Sequence, residues 1–130
     1  MNDSTNHELK ATLQEYVRAF ETKDCEAVAE CYHLPCMFIS PFGVRNITDN
    51  AAARELASQL IEQAVAQGYR RTETFGLEIQ TKTDGLATMT GIFSRRDSND
   101  QEIMRFGFSY TLLFVNSRWR IVVAIAHGID

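Results

Sequence analysis

Three cysteines and a histidine lie close together in the first third of the chain, and these residue types are the commonest ligands of zinc. A zinc site usually takes four ligands, and Cys31, His33 and Cys36 supply three at most, with a proline between them. With Cys25 the thiols form an odd set in a chain without an export signal, which disfavours a disulfide framework. The sequence therefore predicts reduced, buried or half-buried thiols and no metal site.

His127 is a candidate for proton transfer near neutral pH, because histidine is the only side chain whose unperturbed pKa lies in that range. The sequence places it at the end of the last strand, near a pocket mouth or a dimer surface. Glu73, Glu78 and Glu102 lie on predicted strands and form no obvious pair for glycosidic or metal chemistry. The sequence also lacks a phosphate-binding glycine loop, a nucleophile elbow and a zinc-type histidine pair. The remaining possibilities are a reaction that needs no cofactor, or no enzymatic activity.

The composition and charge of the chain limit the number of its domains and the kinds of partner that it can bind. At 130 residues, 45% hydrophobic and 23% charged, the chain fits one globular domain over residues 1–130. The net charge is −4 and the 13 Lys and Arg are scattered, apart from Arg70-Arg71 and Arg95-Arg96, so nucleic acid is not an expected partner. The N-terminal residues do not resemble a signal peptide and no long apolar run occurs, so we expect a cytoplasmic protein that does not enter membranes.

Helical spacing of apolar residues predicts three helices in the first half of the chain. The apolar stripe of the first helix consists of Leu9, Leu13, Tyr16, Val17 and Phe20. A second helix is capped by Asp24 and carries Cys31 and Tyr32 on its buried side. A third is capped by Thr48, Asp49 or Asn50 and stops at Gly68. The first two helices are expected to form a hairpin.

Strands are predicted on both sides of the third helix. A short strand runs from Cys36 to Ser40 and is followed by the turn Pro41-Phe42-Gly43 and a brief second strand through Ile47. Beyond Gly68, turn signals such as Asp84-Gly85 divide the chain into four antiparallel strands. Their predicted ranges are Tyr69–Thr81, Leu86–Arg95, Glu102–Val115 and Trp119–His127.

Alternation along the last two strands predicts two different sheet faces. In the longer strand, one almost wholly apolar and aromatic face consists of Met104, Phe106, Phe108, Tyr110, Leu112 and Phe114. In the last strand, Ile121, Val123 and Ile125 are predicted to share the outer face, which the helices cannot also cover. We therefore expect a homodimer formed through that outer face.

The order of these elements resembles the nuclear transport factor two-like superfamily, in particular its ketosteroid isomerase and SnoaL-like polyketide cyclase branch. The stretch from Tyr16 through Asp24 and Tyr32 to Pro41-Phe42-Gly43 is similar to the isomerase pattern in order and spacing, and Trp119-Arg120-Ile121 is similar to the opening of the superfamily's last strand. The resemblance implies an α+β fold of the cystatin-like type: a cone-shaped barrel of a strongly curved antiparallel sheet wrapped by three N-terminal helices around a pocket.

The resemblance also implies positions for catalytic groups. The isomerases use a carboxylate base and an oxyanion hole made from a tyrosine and a protonated acid, a system that is a standard example of pKa tuning. The oxyanion tyrosine falls on Tyr16, the second donor on Tyr110, and the base position on Ser40. A serine hydroxyl without an activating partner is a poor proton acceptor, so we do not expect appreciable ketosteroid isomerisation. His127 is the remaining candidate base.

Three functions remain open at this point. The first is a dimeric domain that binds a hydrophobic or aromatic small molecule in a mainly apolar pocket. The polar contacts would come from Tyr16 and Tyr32. The pocket would be lined by Phe38, Ser40, Phe106, Phe108 and Tyr110. The alternatives are a cofactor-independent isomerase, cyclase or dehydratase with tyrosine oxyanion donors, and a dimerisation module without a pocket function.

Overall fold

The computed structural model describes residues 3–129 and has an α+β architecture, with three helices packed on one six-stranded curled sheet. The helices are α1 (Asp3–Glu21), α2 (Cys25–Glu30) and α3 (Asn50–Ala66). The strands are β1 (Tyr32–Ser40), β2 (Gly43–Ile47), β3 (Arg71–Thr83), β4 (Leu86–Arg96), β5 (Glu102–Val115) and β6 (Arg118–His127). No described helix is both long enough and apolar enough to cross a membrane.

Helix boundaries follow from local hydrogen bonding. The Asp24 carboxylate caps α2 by accepting from the Ala27 N–H at 3.1 Å, and Asp49 caps α3 by accepting from the Ala52 N–H at 2.8 Å. Gly68 follows α3 with a φ of 92°, a conformation that favours glycine. Among the three caps predicted for this helix, the structure therefore selects Asp49.

The second helix is shorter, and the first strand longer, than the sequence predicts. Cys31 caps α2 and Tyr32 already belongs to β1, where it is the parallel pairing partner of Ile121 in β6. The helical spacing of these residues is overridden because the strand pairing satisfies their backbone groups, including the hydrogen bond from the Ile121 N–H to the Cys31 carbonyl at 2.9 Å.

The sheet has the order β2-β1-β6-β5-β4-β3, and β1 with β6 is the parallel pair among the described strands. The last four strands form the predicted antiparallel meander, and β5 has the predicted bounds. The hairpin between β5 and β6 turns at Asn116 and Ser117, whose φ values of 56° and 64° match the twist of a two-residue hairpin loop.

A bulge in β6 makes one part of the predicted face assignment wrong. Thr111 pairs with Val123 whereas Leu112 pairs with Ile121, so Val122 is an extra residue that reverses the alternation. Ile121 is consequently buried in the core, and only Val123 and Ile125 lie on the outer face with the half-buried Thr111. The outer apolar surface is therefore smaller on this strand than an unbroken alternation would make it.

The core lies between the helices and the inner sheet face. Its largest fully buried side chains include Leu9 of α1, Leu56 of α3, and Met89, Phe108 and Leu112 of the meander. The ring of Phe108 stacks on that of Phe93 with 4.2 Å between the centroids. These contacts fill the space between the helices and the sheet.

Gly91 permits this packing, because a Cβ atom built there would lie 2.9 Å from Cζ of Phe108 and 3.2 Å from the Phe75 carbonyl oxygen. Gly91→Ala should therefore lower the free energy of unfolding by about 1–3 kcal/mol through overpacking. Chemical denaturation of wild type and variant measures this difference. Gly128→Ala is the matched control, since its Cβ would meet nothing within 4 Å. Equal stability of the two variants would contradict the packing argument.

Candidate functional site

A cavity of about 460 Å³ opens at the wide end of the cone, between α1, α3 and the inner face of the sheet. Its apolar walls come from both layers: Val17, Phe20, Phe38, Leu60, Phe93, Met104 and Phe106. Polar side chains contribute the smaller part of its surface: Tyr16, Ser40, Arg45, Gln59, Gln63, Thr72, Arg95, Tyr110 and, at the rim, His127. A mainly apolar cavity with a few polar groups is typical of a small-molecule site.

Two predicted donors, Tyr16 and Tyr110, line this same cavity. Tyr16 comes from the buried stripe of α1, and Tyr110 comes from the inward alternation of β5. Their rings meet edge to face with 5.9 Å between the centroids. The structure therefore brings together two residues that are 94 positions apart in the sequence, while their function stays a prediction.

Tyr32 lies behind the cavity rather than on its wall. Its hydroxyl forms a 2.8 Å hydrogen bond with the hydroxyl of Tyr16, and its side chain is otherwise buried. When Tyr32 donates in this bond, the Tyr16 proton is left to point at the cavity. Tyr32 is therefore placed to support Tyr16 instead of contacting a ligand itself.

Phe108 also lies behind the wall, contrary to the expectation that it lines the pocket. It is only 1% exposed, and the ring of Phe93, on which it stacks, does line the cavity. Phe38 and Phe106 do line the cavity, as the alternation predicts. The difference arises because alternation assigns a residue to a sheet face, whereas helix packing decides which part of that face stays open.

Burial governs the ionisation of the tyrosines. Desolvation raises the pKa of Tyr16, and it raises the pKa values of Tyr32 and Tyr110 well above the ordinary tyrosine range. The contact between the hydroxyls of Tyr16 and Tyr32 partly opposes this rise for Tyr16. All three groups therefore remain neutral hydrogen-bond donors at physiological pH.

Ser40 lines the cavity, but its hydroxyl oxygen accepts the Phe42 N–H at 3.2 Å and so helps to form the turn after β1. The described residues include no aspartate or glutamate on the cavity wall. They also include no group of three histidine, cysteine, aspartate or glutamate side chains that could hold a metal ion. The arrangement thus offers donors without an evident carboxylate base.

His127 lies at the cavity rim, but its ring points to the opposite sheet face. It pairs with Gly107, and a Cβ atom at Gly107 would collide with the imidazole ring. Phe106, next to Gly107, faces the cavity, so the face that carries the imidazole is the outer one. The Nδ1 atom lies 2.8 Å from the Gly128 carbonyl oxygen. This geometry does not aim His127 at a ligand beside Tyr16.

Sequence reasoning missed Arg95, which lines the cavity from β4. Its guanidinium carbon lies 4.9 Å from the ring centroids of Phe20 and Phe106 and 5.8 Å from that of Tyr69. The available signal was positional, because Arg95 shares the inward alternation of Met89 and Phe93. A charged residue on an inward-facing strand position is uncommon and is often functional.

The model of a family described as NTF2-like protein (DUF6841) matches residues 7–129. An NTF-2 like protein of unknown function from Shewanella oneidensis is 15% identical, with a TM-score of 0.76 over 95% of this chain and 99% of that one. Aln2 from Streptomyces is 12% identical, with a TM-score of 0.81 over 98% and 93%. A Nostoc punctiforme protein with a cystatin-like fold is 12% identical, with a TM-score of 0.79 over 100% and 95%. No curated protein sequence matches. At these identities the structures establish the fold alone.

Alkaline titration tests the burial of the tyrosines, since all four are buried with raised pKa values. In the unfolded chain the tyrosines ionise at about pH 10. The stability that their burial contributes is therefore complete below that pH and is lost as the pH rises towards the folded pKa values. Above about pH 10 the free energy of unfolding should fall by up to about 1.4 kcal/mol per pH unit for each tyrosine.

Urea unfolding at a series of pH values, with tyrosinate absorbance recorded in parallel, measures this loss. The Tyr69→Phe variant is the control and should show a shallower fall, because it has one buried phenol fewer. Ionisation of the tyrosines in the folded protein at about pH 10, without loss of stability, would contradict the prediction.

Proposed function

We propose that this chain, which belongs to the NTF2-like family DUF6841, is a homodimeric protein that binds a hydrophobic or aromatic small molecule in its cavity. The observation that carries the proposal is the cavity of about 460 Å³, whose lining is mainly apolar and includes Tyr16 and Tyr110. Such a site suits a ligand with an apolar body and one carbonyl or hydroxyl group.

Binding is favoured over catalysis by what the cavity wall provides. An isomerase, cyclase or dehydratase needs a group that accepts a proton as well as donors for the developing negative charge. Tyr16, supported by Tyr32, is a suitable donor, but Ser40 is engaged in a turn and His127 points to the other face. Within residues 3–129, the cavity wall thus offers hydrogen-bond donors for such a mechanism but no carboxylate base.

The proposed dimer uses the outer face of the sheet. Met37 and Ile39 of β1 pair with Val123 and Ile125 of β6, so their side chains form one apolar patch on the side away from the helices. Met37 is 36% exposed although it is apolar, and the other three are half-buried. A second copy of the chain would cover this patch by a symmetric contact.

Ligand binding is tested by calorimetry with naphthol, which has an apolar body and one hydroxyl group. Tyr16→Phe should weaken binding roughly 2- to 10-fold, because it removes one neutral hydrogen bond at the cavity. Tyr69→Phe is the matched control and should leave the affinity unchanged, since the Tyr69 hydroxyl bonds to Thr72 and Tyr69 does not line the cavity. If wild type fails to bind naphthol at millimolar concentration, the proposal is wrong.

The oligomeric state is tested by light scattering, which should give about twice the chain mass of 14.7 kDa. Val123→Arg should yield a monomer, because it places a charge in the centre of the patch. Val65→Arg is the control and should remain dimeric, since Val65 is a 41% exposed residue of α3 in the other layer. A monomeric wild type would remove this part of the proposal.

A further inference from the structure

Arg95 brings a positive charge into a cavity whose walls are mainly apolar. Its neighbours on the inner face of β4 and β5 are Phe93 and Phe106, and Phe20 reaches it from α1. The contacts with these aromatic rings provide a weak electrostatic attraction. It does not neutralise the charge.

No carboxylate among the described residues lies within 4.0 Å of the Arg95 guanidinium. Two carboxylates of neighbouring elements, on β3 and α1, are engaged elsewhere. Glu73 pairs with Arg96 at 3.5 Å, and Glu21 accepts the Thr72 N–H at 2.9 Å. The side-chain contact of Arg95 is a weak one, from Nη1 to the sulfur of Met104 at 4.0 Å. The five donors of the guanidinium are thus largely unused by the protein itself.

Arg95 is half-buried, so its charge is partly removed from solvent without a carboxylate to compensate it, and this partial desolvation is unfavourable for the charged form. Desolvation lowers the pKa of Arg95, although nearby tyrosines partly oppose the effect. Arginine nevertheless remains protonated in proteins under physiological conditions, so the charge must be met by solvent or by a ligand. A negatively charged group in the cavity would supply the missing partner.

We propose that the ligand is an aromatic or hydrophobic organic acid whose carboxylate binds Arg95, while the Tyr16 hydroxyl donates a neutral hydrogen bond within the same cavity. This inference rests on the proposed function and specifies its ligand class. The planar fork of a guanidinium matches a carboxylate in bidentate geometry, which a hydroxyl or ketone cannot reproduce. The apolar walls then contact the body of the acid.

One carboxylate fits the charge on the wall better than a phosphate group does. Arg45 also lines the cavity, but it is exposed, so water solvates its charge, and its Nη1 atom donates to Oε1 of Gln59 at 2.8 Å. The half-buried guanidinium of Arg95, which lies among aromatic rings, matches a single negative charge. A phosphate dianion would bring a second charge into an apolar site without a partner for it.

The test compares naphthoate with its neutral, similarly shaped analogue naphthamide by calorimetry. Wild type should bind naphthoate about 10- to 100-fold more tightly, because a hydrogen-bonded charge contributes more than a neutral pair. Arg95→Met should abolish this preference while naphthamide still binds. Arg95→Lys should keep only part of it, since lysine retains the charge but not the fork.

The matched control is Arg105→Met. Arg105 also lies over an aromatic ring, that of Phe75 at 5.3 Å, but it pairs with Glu102 at 2.9 Å and does not line the cavity. This variant should bind naphthoate as wild type does.

Several results would overturn the inference. Equal affinity of wild type for naphthoate and naphthamide would refute the carboxylate site and leave the proposed small-molecule binding intact. That comparison needs no variant, so it remains decisive if Arg95→Met fails to fold. Persistence of the preference in Arg95→Met would assign the charge recognition to another group. Failure of both probes to bind would refute the carboxylate site and, with the naphthol result, the cavity function as well.

Discussion

The cavity depends on the parallel pairing between β1 and β6. This pairing joins the helical half of the chain to the meander, because it sets Tyr32 beside Ile121 and Phe38 beside Ala124. Residues nearly ninety positions apart thereby become neighbours, at a loop-closure cost that grows only slowly with length. Once the two strands are paired, the inner face of β1 becomes one wall of the cavity, and α3, which follows β2, lines it with Leu60 and Gln63. The wide end can therefore stay open while the narrow end is packed.

The sequence predicted the elements well where local signals agreed. The bounds of β5 and the Asp84-Gly85 turn follow from alternation and turn chemistry, and the cap of α3 is one of the three residues that side-chain capping offered. The prediction failed at Tyr32, where helical spacing continued into residues that a distant strand recruits into the sheet. It also failed at Ile121, because no local signal marks Val122 as a bulge. Both errors concern pairing between distant strands, which spacing within one segment does not encode.

The candidate site was only partly predictable for a similar reason. Alternation and helical spacing placed Tyr16, Phe38, Phe106 and Tyr110 on inner faces, and these residues do line the cavity. Arg95 was missed because a charged residue in a strand is usually solvated, and only the tertiary structure shows that this one is half-buried beside the rings of Phe20 and Phe106. The tyrosines and the arginine of the cavity act as hydrogen-bond donors. The tyrosine hydroxyls remain protonated and the guanidinium remains charged, so the cavity favours electron-rich groups.

The curled sheet does not close on itself, and this leaves two edges, β2 and β3. An open edge presents unpaired backbone groups that can recruit strands of other molecules into aggregates. The β2 edge is short, at five residues, and carries Arg45, while the longer β3 edge carries Glu78 and Lys82 and is interrupted by a bulge at Gly76. Charges and irregular backbone at both edges make intermolecular strand addition costly. A fold that keeps an apolar cavity open can thus limit strand addition at its edges without closing its sheet into a barrel.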